Sequence, residues 1–218
     1  MKTRSALPSL SGEDGFRQIA QQLATTGYVI LPAALPEPLV DSLLLHFKAL
    51  NSEDFKPAGT GRADDYQVRK GIRGDEIRWL DGLHPATQAY LEWMEQLRLH
   101  LNRHLFLGLF SYECHYAYYP TGAFYRQHVD AFKGETNRIL STVLYLNPIW
   151  EPEDGGELLL YSDQSTLLET IRPTYGKLVI FLSEVFPHEV LPVQKPRCSI
   201  AGWFRVNTNL GVNLDPPK

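Results

Sequence analysis

Cysteine is scarce in this chain of 218 residues, which holds only Cys114 and Cys198. Two thiols cannot make the disulfide framework of a small secreted domain, so a reducing, cytoplasmic setting is expected. The sequence leaves open whether the two meet. There is no apolar run of the roughly 18 residues that a membrane-spanning helix needs, and no membrane partner is expected. Met1 to Ser11 carry two basic residues and no apolar stretch, so no secretory signal is expected. Basic charge is also short: 21 Lys and Arg stand against 25 Asp and Glu, a formal charge of −4. This balance lacks the electrostatic footprint of a nucleic-acid binder, and no nucleic-acid partner is expected. No internal repeat, low-complexity tract, phosphate-binding glycine loop or serine nucleophile elbow occurs. His100 and His104 are four apart, but Leu101 follows His100, so the zinc-protease pattern His-Glu-x-x-His is absent.

What is present reads as an ordinary globular chain, 44% hydrophobic and 21% charged. Its length fits one domain over residues 1–218, with 1–110 as a helical buttress with a long loop and 111–206 as the strand-rich core. Phe16, Ile19, Ala20, Leu23 and Ala24 recur at helical spacing and stop at Gly27. Tyr28 to Leu31 read as a short strand. Pro36 and Pro38 open a second helix with Leu39, Val40, Leu43, Leu44, Phe47 and Leu50 on its apolar face. Residues 51–75 lose this periodicity and read as a long mobile loop with short strand pieces. A third helix starts at Pro85 and runs to about His104. Beyond residue 110, strands are expected at 112–119, 123–129, 138–146, 157–161, 168–171, 177–182, 188–191 and 197–206. About eight short strands and a metal site make a double-stranded β-helix, or jelly roll, the expected fold: mainly β, with the helices buttressing one sheet. The tail from Asn207 to Lys218 reads as loosely held. Oligomeric state is left open, with a monomer as the simplest expectation.

The chemistry starts at His128-Val129-Asp130. Residues two apart on a strand share a face, so this imidazole and carboxylate converge. By itself the triplet is a weak signal. His188 adds a second imidazole. Two histidines and a carboxylate occupy one face of an octahedral iron(II) and leave three positions open for a chelating co-substrate and dioxygen, whereas zinc prefers a tetrahedral site. Arg197, nine residues after His188, offers a permanently charged two-pronged partner for a carboxylate.

The order His-x-Asp, a long gap, then His with eight residues before Arg resembles the prolyl 4-hydroxylase branch of the 2-oxoglutarate oxygenases. Further residues resemble the hypoxia-sensing prolyl hydroxylases and their bacterial relatives: Tyr119-Pro120, Tyr125, Arg138, Val143 to Asn147, Gly155-Gly156-Glu157-Leu158, Phe186 to Val190 and Trp203. Upstream, Ile72-Arg73-Gly74-Asp75 and Trp79 are similar to a stretch beside that family's substrate loop. The resemblance covers roughly residues 65–206.

It implies iron(II) held by His128, Asp130 and His188, with 2-oxoglutarate and dioxygen as co-substrates and ascorbate as a reductant. Arg197 would anchor the distal carboxylate of 2-oxoglutarate with the Tyr145 hydroxyl as a second donor. Tyr119 and Tyr125 would line that pocket, and Trp203 would cover the metal site. Arg138 and Asp75 would pair across the pocket mouth and set the substrate loop. Retention of Asp130 favours hydroxylation over halogenation. The implied partner is a protein or peptide containing proline, elongation factor Tu among the family's bacterial substrates. The alternatives are the same chemistry on a small molecule or another residue, or a jelly-roll binding module without activity.

Overall fold

The computed structural model describes residues 12–59, 71–131 and 137–207 of the 218. Helix α1 spans Glu13–Thr26 and buries Phe16, Ile19, Ala20 and Leu23 along one face. Glu13 and Asp14 in its first turn complement the positive end of the helix dipole. Gly27 ends it in the left-handed conformation, φ +80°, and its N–H donates to the Leu23 carbonyl. Strand β1 (Tyr28–Leu31) follows, then α2 (Glu37–Ala49), with a proline in its first turn. Helix α3 (Pro85–Leu105) is capped by the His84 side chain, which accepts from the Ala86 N–H at 3.2 Å.

The remaining strands are β2 (Lys56–Pro57), β3 (Glu76–Trp79), β4 (Leu109–Tyr119), β5 (Tyr125–His128), β6 (Arg138–Tyr145), β7 (Leu158–Tyr161), β8 (Leu167–Ile171), β9 (Leu178–Leu182), β10 (His188–Val190) and β11 (Arg197–Val206). They form two antiparallel sheets. The larger runs β1-β9-β6-β11-β4-β3-β2, and the smaller runs β5-β10-β7-β8. This is the expected jelly roll. The eight strands expected beyond residue 110 are all present, with ends shifted by up to three residues. Strand β3 was not expected, because Glu76-Ile77-Arg78-Trp79 lacks a continuous apolar signal and joins the sheet through β4. Within the region expected to be a loop, Ser52–Asp54 form a 3-10 turn, and residues 60–70 lie outside the described residues. So do residues 1–11 and all of the tail beyond Asn207.

Strand alternation divides the larger sheet into two faces. One face carries Tyr116, Leu140, Leu144, Leu178, Ile180, Ile200 and Phe204 and packs on Phe16, Ile19, Leu97, Leu101 and their neighbours from the helices. Each such side chain, fully buried, contributes roughly 1.5–3 kcal/mol. Cys114 and Cys198 lie on this helix side as free, buried thiols, opposite Gly202 and Tyr118 respectively in the β4–β11 pairing. Gly202 has no room for a side chain: a Cβ there would stand 2.7 Å from Cys114 Cβ and run into the Tyr112 hydroxyl. The other face looks toward the smaller sheet. The strand register stacks it in layers: Tyr119 with Arg197, then Ala117, Ser199 and Tyr145, then Trp79, His115, Ala201, Val143 and Val179, then Glu113, Trp203, Ser141 and Phe181.

Candidate metal centre and co-substrate pocket

His128 ends β5 and His188 begins β10, and the two are paired directly across the ladder of the smaller sheet. Their ring centroids are 4.3 Å apart. Asp130 follows β5 by two residues and turns its carboxylate between them. Its Oδ1 lies 3.6 Å from His128 Nε2, and its Oδ2 lies 3.6 Å from His188 Nε2. The three ligand atoms all fall within 4.8 Å of one another. Adjacent donors on an octahedral ion stand roughly 3 Å apart at metal–ligand distances near 2.1 Å, so a small contraction closes the set around one cation.

The protonation pattern suits a metal. His128 Nδ1 sits 2.8 Å from the Arg126 carbonyl, and His188 Nδ1 sits 3.0 Å from the Phe186 carbonyl. A carbonyl only accepts, so each Nδ1 donates to it and Nε2 is the ring atom that faces Asp130. Burial, followed by the neighbouring His128, pushes the His188 pKa down to about 4, which keeps that ring neutral. Burial alone would raise the Asp130 carboxyl. The facing His188, the contact with His128 and the Ser141 hydroxyl outweigh burial and hold it well below the usual carboxylate range. A neutral His188, a second imidazole at His128 and one anionic carboxylate are the donor set a divalent cation takes.

Behind the ligands, Ser141 Oγ on β6 donates to Asp130 Oδ2 at 2.6 Å. With its proton committed there, Ser141 accepts from Ser183 Oγ at 2.9 Å. Phe181 packs edge-on against the His188 ring at 4.8 Å, and the Tyr125 ring stacks on His128 at 3.6 Å. Neither serine was anticipated from sequence. Ser141 shares a face with Val143 and Tyr145, a two-residue alternation that would have placed it beside the site.

Arg197 lies at the other end of the pocket and is 1% exposed. Its guanidinium carbon sits 4.8 Å from the Tyr119 ring centroid and 5.0 Å from that of Tyr145. Its Nη1 makes a long 3.4 Å contact with Ser199 Oγ. Its Nε has no partner, and among the described residues no carboxylate comes within 4.0 Å of it. The Tyr145 hydroxyl beside it is likewise buried without a partner. Burying a charge without a counter-ion costs several kcal/mol, so an anion belongs here. Gly156 packs on the stem of Arg197: a Cβ at this position, φ +68°, would lie 3.1 Å from Arg197 Cδ and 2.6 Å from Val193 Cγ1. Tyr145 stands four residues along β6 from Ser141, roughly 13 Å of strand. The residues therefore fit iron(II) at one end and the distal carboxylate of 2-oxoglutarate at the other.

The remaining expected contacts are partly redrawn. Asp75 and Arg138 do not pair. Asp75 is 2% exposed and takes both oxygens to Arg73, at 2.6 and 2.9 Å, because the two residues flank Gly74 on one chain segment. Arg138 reaches Glu113 at 2.9 Å and lies 3.6 Å over the Trp203 ring, since β11 separates β6 from β4 and Glu113 faces Trp203 in register. Arg73, unassigned in the sequence reading, also sits 4.6 Å over Tyr125 and so backs the ring stacked on His128. Trp203 stands across from Ser141, in the layer that supports Asp130. His100 and His104 stack on each other on α3, apart from the ligand triad.

Residues 114–205 match the model of the 2OG-Fe(II) oxygenase superfamily. The chain is 42% identical to a prolyl-4-hydroxylase from Pseudomonas putida of known structure, with a TM-score of 0.80 over 88% of this chain and 100% of that one. A prolyl hydroxylase from Trichoplax adhaerens, solved with a peptide fragment of the oxygen degradation domain of hypoxia inducible factor, superposes with a TM-score of 0.74. It shares 27% identity over 87% of this chain and 88% of its own. Egl nine homolog 1 from Homo sapiens is 32% identical over 164 residues, which are 66% of this chain and 37% of the human protein. The chain thus spans under two fifths of the length of that curated relative. It belongs to the 2OG-Fe(II) oxygenase superfamily, enzymes that use iron(II), 2-oxoglutarate and dioxygen, and has prolyl 4-hydroxylases among its homologues.

Proposed function

We propose that the protein hydroxylates a prolyl residue of a protein substrate, with residues 1–218 acting as one oxygenase domain. His128, Asp130 and His188 hold the iron. Arg197 and the Tyr145 hydroxyl bind the distal carboxylate of 2-oxoglutarate, and Tyr119 closes the pocket against the guanidinium. Trp203, Arg138 and the Arg73–Asp75 pair frame the mouth where substrate arrives. When bound, iron and 2-oxoglutarate supply the oxidising chemistry, and the co-substrate leaves as succinate and carbon dioxide. The chain's own residues orient the two groups, keep the His188 imidazole neutral and exclude water from the buried end.

The observation that carries this reading is the buried, unpaired Arg197 beside the orphaned Tyr145 hydroxyl, on the same sheet face as Ser141 and opposite the triad. A non-catalytic binding module has no need of that charge. The structural likeness to the Pseudomonas putida prolyl-4-hydroxylase supports proline as the target, and the resemblance to bacterial members supports elongation factor Tu as the substrate. The test incubates recombinant elongation factor Tu with enzyme, iron(II), 2-oxoglutarate and ascorbate. One added oxygen on a proline, found by peptide mass spectrometry and lost with His128→Ala, is expected. Unmodified prolines with turnover on another substrate would move the assignment to the small-molecule alternative.

A further inference from the structure

His115 has no part in the metal site or the Arg197 pocket. It is 1% exposed, and both ring nitrogens are buried with no hydrogen-bond partner. The indole Nε1 of Trp203 is buried and unpartnered too, and the two rings are 5.4 Å apart. Native interiors leave few polar atoms unsatisfied, and each one costs about 1–3 kcal/mol, so three neighbouring orphans mark a place where a ligand completes the bonding.

The register fixes where that place is. His115 is directly paired with Ala201 on one side and Trp79 on the other. Ala201 is a small, partly exposed neighbour of the imidazole. Trp79 packs edge-on at 5.0 Å and is 49% exposed. Arg138, partly exposed, covers the far face of this row by lying on Trp203. In the row Trp79–His115–Trp203–Arg138, Trp79 is exposed and Arg138 partly exposed, while His115 and Trp203 between them are buried, as are Arg197 and Tyr145. The register sets the His115 row between the layer of Tyr145 and Ser199 and the layer of Trp203 and Ser141, whose hydroxyl bonds Asp130.

Resting on the prolyl hydroxylation reading, we propose that His115 and the Trp203 indole N–H form a donor pair for a main-chain carbonyl of the substrate beside the target proline. The chemistry suits a prolyl peptide. Its amide nitrogen carries no hydrogen, so an X–Pro bond offers only an acceptor, and two neighbouring donors match it. Burial, then the nearby Arg73 and Arg138, keep the imidazole neutral, with one N–H to give.

The probe is N-acetyl-L-proline methylamide, a single proline with a carbonyl on each side. It is titrated into the protein loaded with zinc and 2-oxoglutarate, with histidines labelled by nitrogen-15. The His115 ring signals shift on addition. His115→Phe, which keeps the aromatic packing, weakens binding about fivefold, as one lost hydrogen bond does, and His115→Asn or His115→Gln restores it. With iron and elongation factor Tu, the Phe variant raises KM by a similar factor and leaves kcat within about twofold. Ring signals that stay put, or equal binding by the Phe variant, overturn the proposal. Elongation factor Tu hydroxylated with an unchanged KM by the Phe variant overturns it while the function stands. An unmodified elongation factor Tu with a shifting His115 signal defeats the protein substrate and upholds the donor pair.

Discussion

Ser141 donates a 2.6 Å hydrogen bond to Asp130 Oδ2, the same oxygen that faces His188 Nε2 at 3.6 Å. The serine sits on the larger sheet and the ligands on the smaller, so this bond ties the two layers together at the metal. Ser141→Ala removes the tie and leaves the carboxylate free to rotate. Supporting bonds of this kind are worth about 10–100-fold in metal affinity. Manganese titration followed by calorimetry is expected to show a loss in that range with the fold intact. Unchanged affinity would mean that Asp130 is held by its two histidines alone.

Arg197→Met should separate stability from activity. The buried guanidinium lacks a counter-ion among the described residues, so an apolar replacement of similar reach removes a desolvation cost. The variant without ligands is expected to melt no lower than the parent and to lose both turnover and the rise in Tm that 2-oxoglutarate gives the metal-loaded parent. A marked drop in Tm without ligands would show that Arg197 is paired within the fold after all.

Asp75→Asn tests the opposite case. Asp75 is the buried partner of Arg73, which in turn backs the Tyr125 ring on His128. Breaking a buried pair from one side costs about 3–5 kcal/mol, discounted here because Arg73 is partly exposed. Urea unfolding should report a loss of about 2–3 kcal/mol on that basis, with weaker metal binding in step. A loss of stability with metal affinity unchanged would sever the link to His128.

Stability should fall on mild acidification. His188 is depressed to about 4 by burial and then His128, and His115 is depressed well below 6.5 by burial and then Arg73 and Arg138. Both stay neutral when folded, whereas the unfolded chain takes up their protons below about pH 6.5. Their contribution is therefore fully present above pH 6.5 and declines as pH falls toward 4. The slope is at most about 1.4 kcal/mol per pH unit for each ring. Urea unfolding of the metal-free protein at steps from pH 7 to pH 4.5 reads this. His115→Phe should flatten the curve, and an unchanged slope would place His115 in contact with water.

Much of this architecture is readable from the chain because alternation on strands and three-to-four spacing on helices report burial directly. Phe16, Ile19, Ala20 and Leu23 mark α1, and Gly27 stops it where the left-handed turn occurs. The metal ligands are legible because His128 and Asp130 share a face and His188 lies in a strand. What brings them together is the β5–β10 register, a long-range pairing that no local pattern encodes. The same limit explains the misassigned charges. Arg73 lies two residues from Asp75 in the chain, and only the fold shows that it takes the carboxylate while Glu113 takes Arg138. β3 carries a weak signal because Glu76 and Arg78 interrupt its apolar residues, and Ser141 carries only its alternation with Tyr145, which points to the metal side without showing the bond to Asp130.

A crystal structure with manganese and 2-oxoglutarate bound would decide the matter. Expected are bonds from the metal to His128 Nε2, His188 Nε2 and an Asp130 oxygen, with the far carboxylate gripped by Arg197 and the Tyr145 hydroxyl. A metal held elsewhere or through Nδ1, or a diacid lying away from Arg197, would contradict the site at its root.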